Sequence, residues 1–172
     1  QGAKVLAIGE GGMMVTDNEE IYKKAKLLVD MYTTKEFWQE KIGYMYEMNN
    51  ISAAVGLGQL DHIYELLDKK KIIFDWYKEE LFDLYPINES RGEKQNYWMT
   101  SIVVPNEKYR IDLRKYLKEK NIDTRPFFYP ISAFGIYPKK YKTPESYRIG
   151  LTGINLPSTV RLFKEDVKHV TS

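Results

Sequence analysis

Apolar residues recur at every third or fourth position in several stretches of the chain, which is the spacing of an amphipathic helix. The first stretch begins after Asp17 or Asn18, either of which can cap a helix. The second begins at Asn50 and continues almost to Pro86, which predicts one long helix. Two shorter helices are predicted in the second half of the chain, over residues 111–120 and 163–170.

Short apolar or extended segments predict strands between these helices. Val5–Ile8 and Met13–Thr16 are two such segments, and Gly9-Glu10-Gly11-Gly12 lies between them. Glycine permits a tight connection, so we expect two strands joined by a turn. Further strands or extended segments are predicted in the second half, over residues 98–104, 121–125, 126–130 and 153–158.

Residues 86–94 are polar and rich in turn formers, so we interpret them as a linker between two parts of an α/β protein. Residues 1–85 form the first part and residues 95–172 a smaller α/β domain. Within the first part, residues 32–48 are aromatic and irregular. A long aromatic loop is stable only if it packs against something, so we expect a binding or interface loop there.

Composition excludes several classes of protein. The 172 residues include no cysteine and two histidines, so we expect neither a disulfide scaffold nor a metal site, and a reducing, cytoplasmic compartment. With 26 basic and 24 acidic residues, the net charge of +2 gives no reason to expect nucleic acid as a partner. The basic run 69–71 is interpreted as a solvated helix face.

Neither a membrane span nor a signal peptide is expected. No apolar run approaches the roughly 20 residues that cross a bilayer. The chain begins with Gln1 rather than methionine and shows no signal-peptide pattern, which we interpret as a fragment or a processed product.

Lys4 lies at the start of the first predicted strand, just before the glycine-rich turn. A lysine that is desolvated at such a junction is uncharged often enough to attack an aldehyde and form a Schiff base. From position alone, a solvated surface lysine is the commoner interpretation. The glycine-rich segment alone is likewise typical of an ordinary turn.

The segment from Lys4 to Asp17 resembles the Schiff-base lysine segment of the DegT-type sugar aminotransferases, which depend on pyridoxal 5′-phosphate (PLP). In that family a lysine is followed, after four residues, by Gly-Glu-Gly-Gly, as it is here. Similar segments follow in the same order over residues 43–48, 50–54, 58–60, 124–130 and 153–158. The last two most resemble the GDP-perosamine synthases of this family. Together the segments cover nearly the whole chain.

The resemblance implies the C-terminal portion of the PLP-dependent transferase (fold type I) architecture. Residues 1–85 would be the end of the large cofactor domain, and residues 95–172 the small domain. The family's section before the lysine supplies the partner of the pyridine nitrogen and most of the phosphate cup. Because the family builds each site from two chains, the resemblance also implies a homodimer. The aromatic loop and residues 53–58 are expected to form the interface between its two chains.

The resemblance further implies a reaction. An amino group, taken from L-glutamate by analogy, would be transferred to a keto group of a nucleotide-linked deoxysugar, as in polysaccharide biosynthesis. Lys4 would bind PLP as a Schiff base and move the proton, and we expect its amine to be buried at the lip of a cleft. Tyr46 is expected to bind the cofactor. Arg125, Phe127 and Tyr129 are expected to bind the substrate, because arginine pairs with a diphosphate and aromatic faces stack on a base or sugar.

Three positions depart from the family's pattern. Met45 and Glu47 stand where the family usually has an asparagine that reaches the cofactor phosphate and an arginine that holds substrate. Methionine cannot donate a hydrogen bond, and a carboxylate beside a phosphate is repulsive. Ser132 replaces a histidine. A non-catalytic interaction or dimerisation module of the same family is therefore the alternative. A related dehydratase fits less well, because such enzymes carry histidine at the position of Lys4.

Overall fold

The computed structural model describes residues 4–82, 92–137 and 141–172. It divides the chain into two compact units, Gln1–Ile63 and Tyr64–Ser172. This division falls earlier in the chain than the linker that we expected at residues 86–94, of which only 92–94 lie within the described residues. The helix Ile63–Glu80 therefore lies, apart from its first residue, in the unit that contains the small α/β part rather than in the unit that carries Lys4.

The first unit contains two helices and a short hairpin: α1 (Glu19–Val29), β1 (Thr33–Lys35), β2 (Trp38–Gln39) and α2 (Asn50–Leu60). The predicted start of α1 is confirmed. The Asn18 side chain accepts hydrogen bonds from the backbone N–H groups of Glu20 and Ile21, at 2.9 and 3.1 Å. These bonds satisfy two of the donors that a helix leaves unpaired at its first turn.

The two strands predicted at Val5–Ile8 and Met13–Thr16 are wrong, because residues 4–18 form no strand. The first segment packs against α2 instead of pairing with the second. A methyl group added at Gly56 would lie 3.3 Å from the Ile8 side chain. The Ala7 N–H donates to the Gln59 side-chain oxygen at 3.4 Å. Residues 5–8 are therefore packed through apolar contacts, as their composition indicated, but they pack on a face of α2 rather than beside a second strand.

The aromatic segment 32–48 is more ordered than the loop we expected, because β1 and β2 pair within it as an antiparallel hairpin. Gly43 lets the returning chain approach the end of α1. A Cβ at Gly43 would lie 2.4 Å from the backbone of Met31 and Tyr32, a distance that no side chain tolerates. Met31 and Tyr32 themselves have φ angles of +50° and +56°, so the chain reverses sharply at this point.

The predicted long helix is two helices, α2 and α3 (Ile63–Glu80), with a break at Asp61–His62. The Asn49 side chain caps the start of α2 by accepting from the Ser52 N–H at 2.9 Å. Both helices keep the apolar spacing of three and four, so a two-residue interruption leaves no mark on the pattern.

The second unit is an antiparallel sheet with helices. Its remaining elements are β3 (Ser101–Val103), α4 (Glu107–Glu119), β4 (Arg125–Pro126), a 3₁₀ turn (Ile131–Ala133), α5 (Pro144–Thr152), β5 (Gly153–Asn155) and α6 (Lys164–Thr171). The strand order is β3-β5-β4, with β5 pairing both neighbours. The 3₁₀ turn and α5 were not predicted. The α4 helix starts earlier than predicted, because Asn106 caps it by accepting from the Tyr109 N–H at 2.8 Å.

The core of the second unit joins α3 to the sheet and to α6 through buried side chains, namely Ile73, Tyr77, Ile102, Val104, Ile154, Leu156 and Val167. Tyr77 is fully buried, and its hydroxyl donates to the Pro157 carbonyl at 2.9 Å. Burial raises the pKa of Tyr77, with a smaller contribution from the nearby negative charge of Asp166.

Lys70 corrects our interpretation of the basic run, because it is buried rather than solvated. Its ammonium group donates to the backbone carbonyls of Trp98 and Ser158, and the bond to Trp98 measures 2.9 Å. Burial lowers the pKa of Lys70. Lys71 does lie at the surface, where it pairs with Asp75 at 2.6 Å. One turn of α3 therefore carries both a buried and an exposed cation.

Candidate functional site

The glycine-rich segment and the aromatic segment meet around a cavity of about 830 Å³ in the first unit. We call it the first-unit cavity. It is lined by Glu10, Gly11, Gly12, Met13, Met14, Val29, Met45, Tyr46, Glu47, Met48, Asn49 and Ser52. Three of the segments in which the family resemblance was found, 4–17, 43–48 and 50–54, therefore contribute to one cavity, although Met14 and Met45 in its lining are 31 positions apart in the sequence.

Tyr46, the predicted cofactor residue, lies in the lining of the first-unit cavity. Its ring stacks on that of Tyr44, with centroids 5.0 Å apart and an interplanar angle of 12°. Its N–H donates to the Val29 carbonyl at 3.2 Å, which fixes its backbone to the end of α1. The side chain is 73% exposed, so its hydroxyl remains accessible to a ligand.

The carboxylate of Glu47 is neutralised locally by Lys26 of α1. The Lys26 ammonium lies 3.0 Å from the Glu47 carboxylate, and this hydrogen bond, with the charge attraction, raises the pKa of Lys26. Both side chains are more than half exposed, so the pair contributes little to stability. Its consequence is electrostatic, because the repulsion that we expected between Glu47 and a phosphate is reduced by an adjacent positive charge.

Lys4 is exposed and does not lie among the residues that line the first-unit cavity. We expected the Lys4 amine to be buried at the lip of a cleft, and in the part of the chain that the structure describes this expectation is wrong. The lining residues nevertheless include groups that can donate a hydrogen bond to a phosphate, namely the Tyr46 and Ser52 hydroxyls and the backbone N–H groups of Gly11 and Gly12. They also include the carboxylates of Glu10 and Glu47, so the residues fit one edge of a PLP site only where a cation such as Lys26 offsets this negative charge.

A second cavity, of about 510 Å³, lies in the second unit. We call it the aromatic cavity. Its lining consists of Lys94, Gln95, Asn96, Tyr97, Trp98, Met99, Ser101, Phe127, Phe128 and Asn155. The Trp98 and Phe128 rings stack with centroids 6.2 Å apart at 24°. Phe127 meets Phe128 edge to face at 6.0 Å. Phe127, a predicted substrate-binding residue, lies in the lining of this cavity.

Polar groups form one side of the aromatic cavity. The Ser101 hydroxyl donates to the Asn155 side-chain oxygen at 2.6 Å, and the Asn155 amide donates to the Pro126 carbonyl at 3.2 Å. Asn155 of β5 is in register with Ser101 of β3 and with Arg125 of β4. Residues in register share one face of a sheet, so exposed Arg125 lies on the same face as the polar side of the cavity.

Tyr129 lies outside the aromatic cavity and is held by Arg110 of α4. An Arg110 N–H donates to the Tyr129 hydroxyl at 3.3 Å, and the guanidinium lies 5.8 Å from the centre of the Tyr129 ring. Arg110 is buried and also donates to the Gly150 carbonyl at 2.8 Å. Tyr129 therefore helps to attach its segment to α4. Ser132, which replaces the family's histidine, lies in the 3₁₀ turn.

The sequence interpretation missed Trp98 and Asn155 as cavity residues. Trp98 was treated as the start of a strand and Asn155 as part of an extended segment. The polar residues 94–96, which end in the turn former Asn96 and precede Tyr97 and Trp98, were an available signal, because they place aromatic residues where a chain leaves a loop.

Within residues 4–82, 92–137 and 141–172, there is no group of three or more histidine, cysteine or acidic side chains arranged to hold a metal ion. No helix in the same ranges is both long enough and apolar enough to cross a membrane.

Solved structures share this architecture. An aminotransferase from Streptoalloteichus hindustanus, TlmJ, superimposes with a TM-score of 0.85 at 20% identity, over 97% of this chain and 47% of its own. The architecture is accordingly that of the PLP-dependent transferases of fold type I, as predicted, and the chain represents part of it.

The family follows from the sequence comparison. The model of the DegT/DnrJ/EryC1/StrS aminotransferase family matches residues 1–172, and the chain belongs to this family. It is similar to the GDP-perosamine synthases of Escherichia coli O157:H7 (37% identity) and Vibrio cholerae (34%), over 98% of this chain and 48% of each relative. A putative pyridoxal phosphate-dependent aminotransferase of Bacillus subtilis, EpsN, is 30% identical over 76% of this chain and 35% of its own. The chain thus spans about half the length of these two perosamine synthases.

Proposed function

We propose that this chain forms part of a PLP-dependent aminotransferase that acts on a nucleotide-linked deoxysugar. The observation that supports this most strongly is the first-unit cavity. The family's Gly-Glu-Gly-Gly segment and the aromatic segment with Tyr46 line it together. Family membership over residues 1–172 and similarity to two GDP-perosamine synthases supply the substrate class.

Lys4 is the proposed catalytic residue. When bound, PLP supplies an aldehyde that condenses with amines and a ring that disperses negative charge. The Lys4 Nζ would hold the cofactor, accept the proton that leaves the substrate carbon and return it. Such an amine needs a site that excludes water, whereas Lys4 is exposed to solvent in the structure of this chain alone. Because the relatives are about twice as long, we propose that protein beyond these 172 residues covers it.

The other assignments are proposals of the same kind. L-Glutamate is the proposed amino donor, Tyr46 a cofactor residue, and Arg125, Phe127 and Tyr129 substrate-binding residues. Of the last three, Phe127 has the best support, since it lies in the aromatic cavity. We further propose a cytoplasmic homodimer that serves polysaccharide biosynthesis. The exposed side chains of Phe37, Trp38 and Ile42 are consistent with an interface in the aromatic segment.

Reductive trapping tests the role of Lys4. The protein, comprising these 172 residues and the part that we propose covers Lys4, is incubated with a limiting amount of PLP, reduced with borohydride and mapped by peptide mass spectrometry. We expect the reduced adduct to accumulate on Lys4 in preference to other exposed lysines, and Lys4→Ala to lose it. Lys24→Ala is the matched control, because Lys24 is an exposed lysine of α1 and should leave the labelling of Lys4 unchanged. Equal labelling of Lys4 and Lys24 would contradict the assignment.

A non-catalytic module of the same family is the second candidate. The exposure of Lys4, together with Met45 and Glu47 in the first-unit cavity, favours it. This candidate predicts no preferential adduct at Lys4 and no release of 2-oxoglutarate when L-glutamate is added to the PLP-loaded chain. The trapping experiment therefore separates the two candidates.

A further inference from the structure

A further cavity, of about 410 Å³, lies in the second unit between α3 and the segment that leads into α6. We call it the α3–α6 cavity. Its lining is mostly apolar and includes Ile72 and Trp76 of α3 and Leu162 and Phe163 of the leading segment. The volume lies within the roughly 300–1,000 Å³ that small-molecule sites occupy. It shares no lining residue with the first-unit cavity or the aromatic cavity.

The apolar lining of the α3–α6 cavity is fixed by the core on one side and exposed to solvent on the other. Trp76 and Leu162 are partly buried and pack against the core of the second unit. Phe163 is 70% exposed and Ile72 is 45% exposed. Removing such apolar area from water is favourable in proportion to the area that is covered. The cavity therefore offers apolar surface that a ligand with an apolar chain would cover.

The charged residues in this lining are both positive. They are Lys69 of α3 and Arg161, and both are exposed. Among the described lining residues there is no carboxylate. Two carboxylates just outside the lining already have partners. Glu79 pairs with Lys164 at 2.8 Å, and Asp166 accepts from a backbone N–H at the start of α6 at 2.8 Å. The cavity therefore complements an anion and disfavours a cation.

We propose that the α3–α6 cavity binds a small monocarboxylate with an apolar chain. The chain lies along Trp76 and Phe163, and the carboxylate is bound by Arg161 and Lys69. Arginine can hold a carboxylate with two parallel hydrogen bonds, and lysine adds a point charge. This binding site goes beyond the proposed aminotransferase function and does not depend on it, because none of these residues is assigned to PLP or to the sugar substrate.

Calorimetric titration of the protein used for the trapping experiment tests the proposal, with octanoate as the probe. We expect octanoate to bind about tenfold or more tightly than 1-octanol, because only octanoate carries the charge that the two cations recognise. Butyrate should bind about tenfold or more weakly than octanoate, because its shorter chain covers less apolar area. Octylammonium, with the same chain and the opposite charge, should not bind.

Variants of the lining separate the two parts of the ligand. Arg161→Gln should weaken octanoate about tenfold and leave 1-octanol unchanged, because it removes only a charged partner. Phe163→Ala should weaken octanoate and 1-octanol by similar factors, because both lose the same apolar contact. Both side chains are exposed, so neither change should lower the urea midpoint of the second unit.

Matched controls lie elsewhere in the second unit. Arg148→Gln removes another exposed arginine, and Phe134→Ala removes another phenylalanine, which is 49% exposed. Neither residue lines the α3–α6 cavity, so both variants should bind octanoate as the parent does. The proposal is overturned if octanoate does not bind, if 1-octanol or octylammonium binds as tightly, or if each variant and its control lose the same affinity.

Discussion

Replacing Tyr77 with phenylalanine tests how the second unit is held together. The change keeps the buried ring and removes only the hydroxyl, which donates to the Pro157 carbonyl at 2.9 Å. A hydrogen bond contributes about 0.5–1.5 kcal/mol net, and a buried group left without its partner costs about 1–3 kcal/mol. Because Tyr77 is fully buried, we expect Tyr77→Phe to lower the free energy of unfolding by about 1–2 kcal/mol.

Urea denaturation followed by tryptophan emission measures this loss. The chain has three tryptophans, and in a Trp38→Phe background the two that remain, Trp76 and Trp98, both report on the second unit. Tyr64→Phe is the control, since Tyr64 lies on the same helix and is 78% exposed, so its midpoint should not move. If Tyr77→Phe unfolds at the same urea concentration as Tyr64→Phe, the bond to Pro157 does not stabilise the unit.

Two further predictions concern the same unit and the same assay. Gly153→Ala should destabilise it by about 1–3 kcal/mol, because the new Cβ would lie 2.6 Å from that of Phe127. Gly135→Ala is the control, since Gly135 lies in the same unit and a Cβ there would have nothing within 4 Å; equal midpoints would contradict the argument. Burial lowers the pKa of Lys70, so at a given pH the unfolded state binds more protons than the folded state, and the free energy of unfolding should rise as the pH increases towards 10.5. Lys70→Met should remove that rise. An unchanged dependence of the free energy of unfolding on pH would contradict the argument.

Local signals predicted the elements that local chemistry determines. Asp17 or Asn18, followed by Glu19 and Glu20, predicted the start of α1, because a cap and favourable charges act within one turn. The same reasoning could have found α5, since Thr143 followed by Pro144 is typical of a helix start, and Pro144 is the first residue of that helix.

Features that depend on distant residues were not predictable from the pattern. Residues 5–8 have the composition of a strand, but whether they pair with a strand or pack on α2 is decided by residues around Gly56. Lys70 and Lys71 are adjacent and alike in sequence, yet one is buried because the carbonyls of Trp98 and Ser158 accept from it. A helix pattern cannot show acceptors that lie 28 and 88 residues away.

The candidate sites show the same difference between residues that sequence segments indicate and residues that are brought in by distant parts of the chain. Resemblance indicated Tyr46 and Phe127, and the structure places each in a cavity. Asn155 joins the second cavity through the register of β3, β4 and β5, and Trp98 joins it through the contact of its ring with Phe128. Each cavity is lined by residues of one unit. Tyr46 and Phe127, the proposed cofactor and substrate residues, therefore belong to separate sets of side chains. If Phe127 binds substrate as proposed, Phe127→Ala should weaken substrate binding and leave the trapping of PLP at Lys4 as it was.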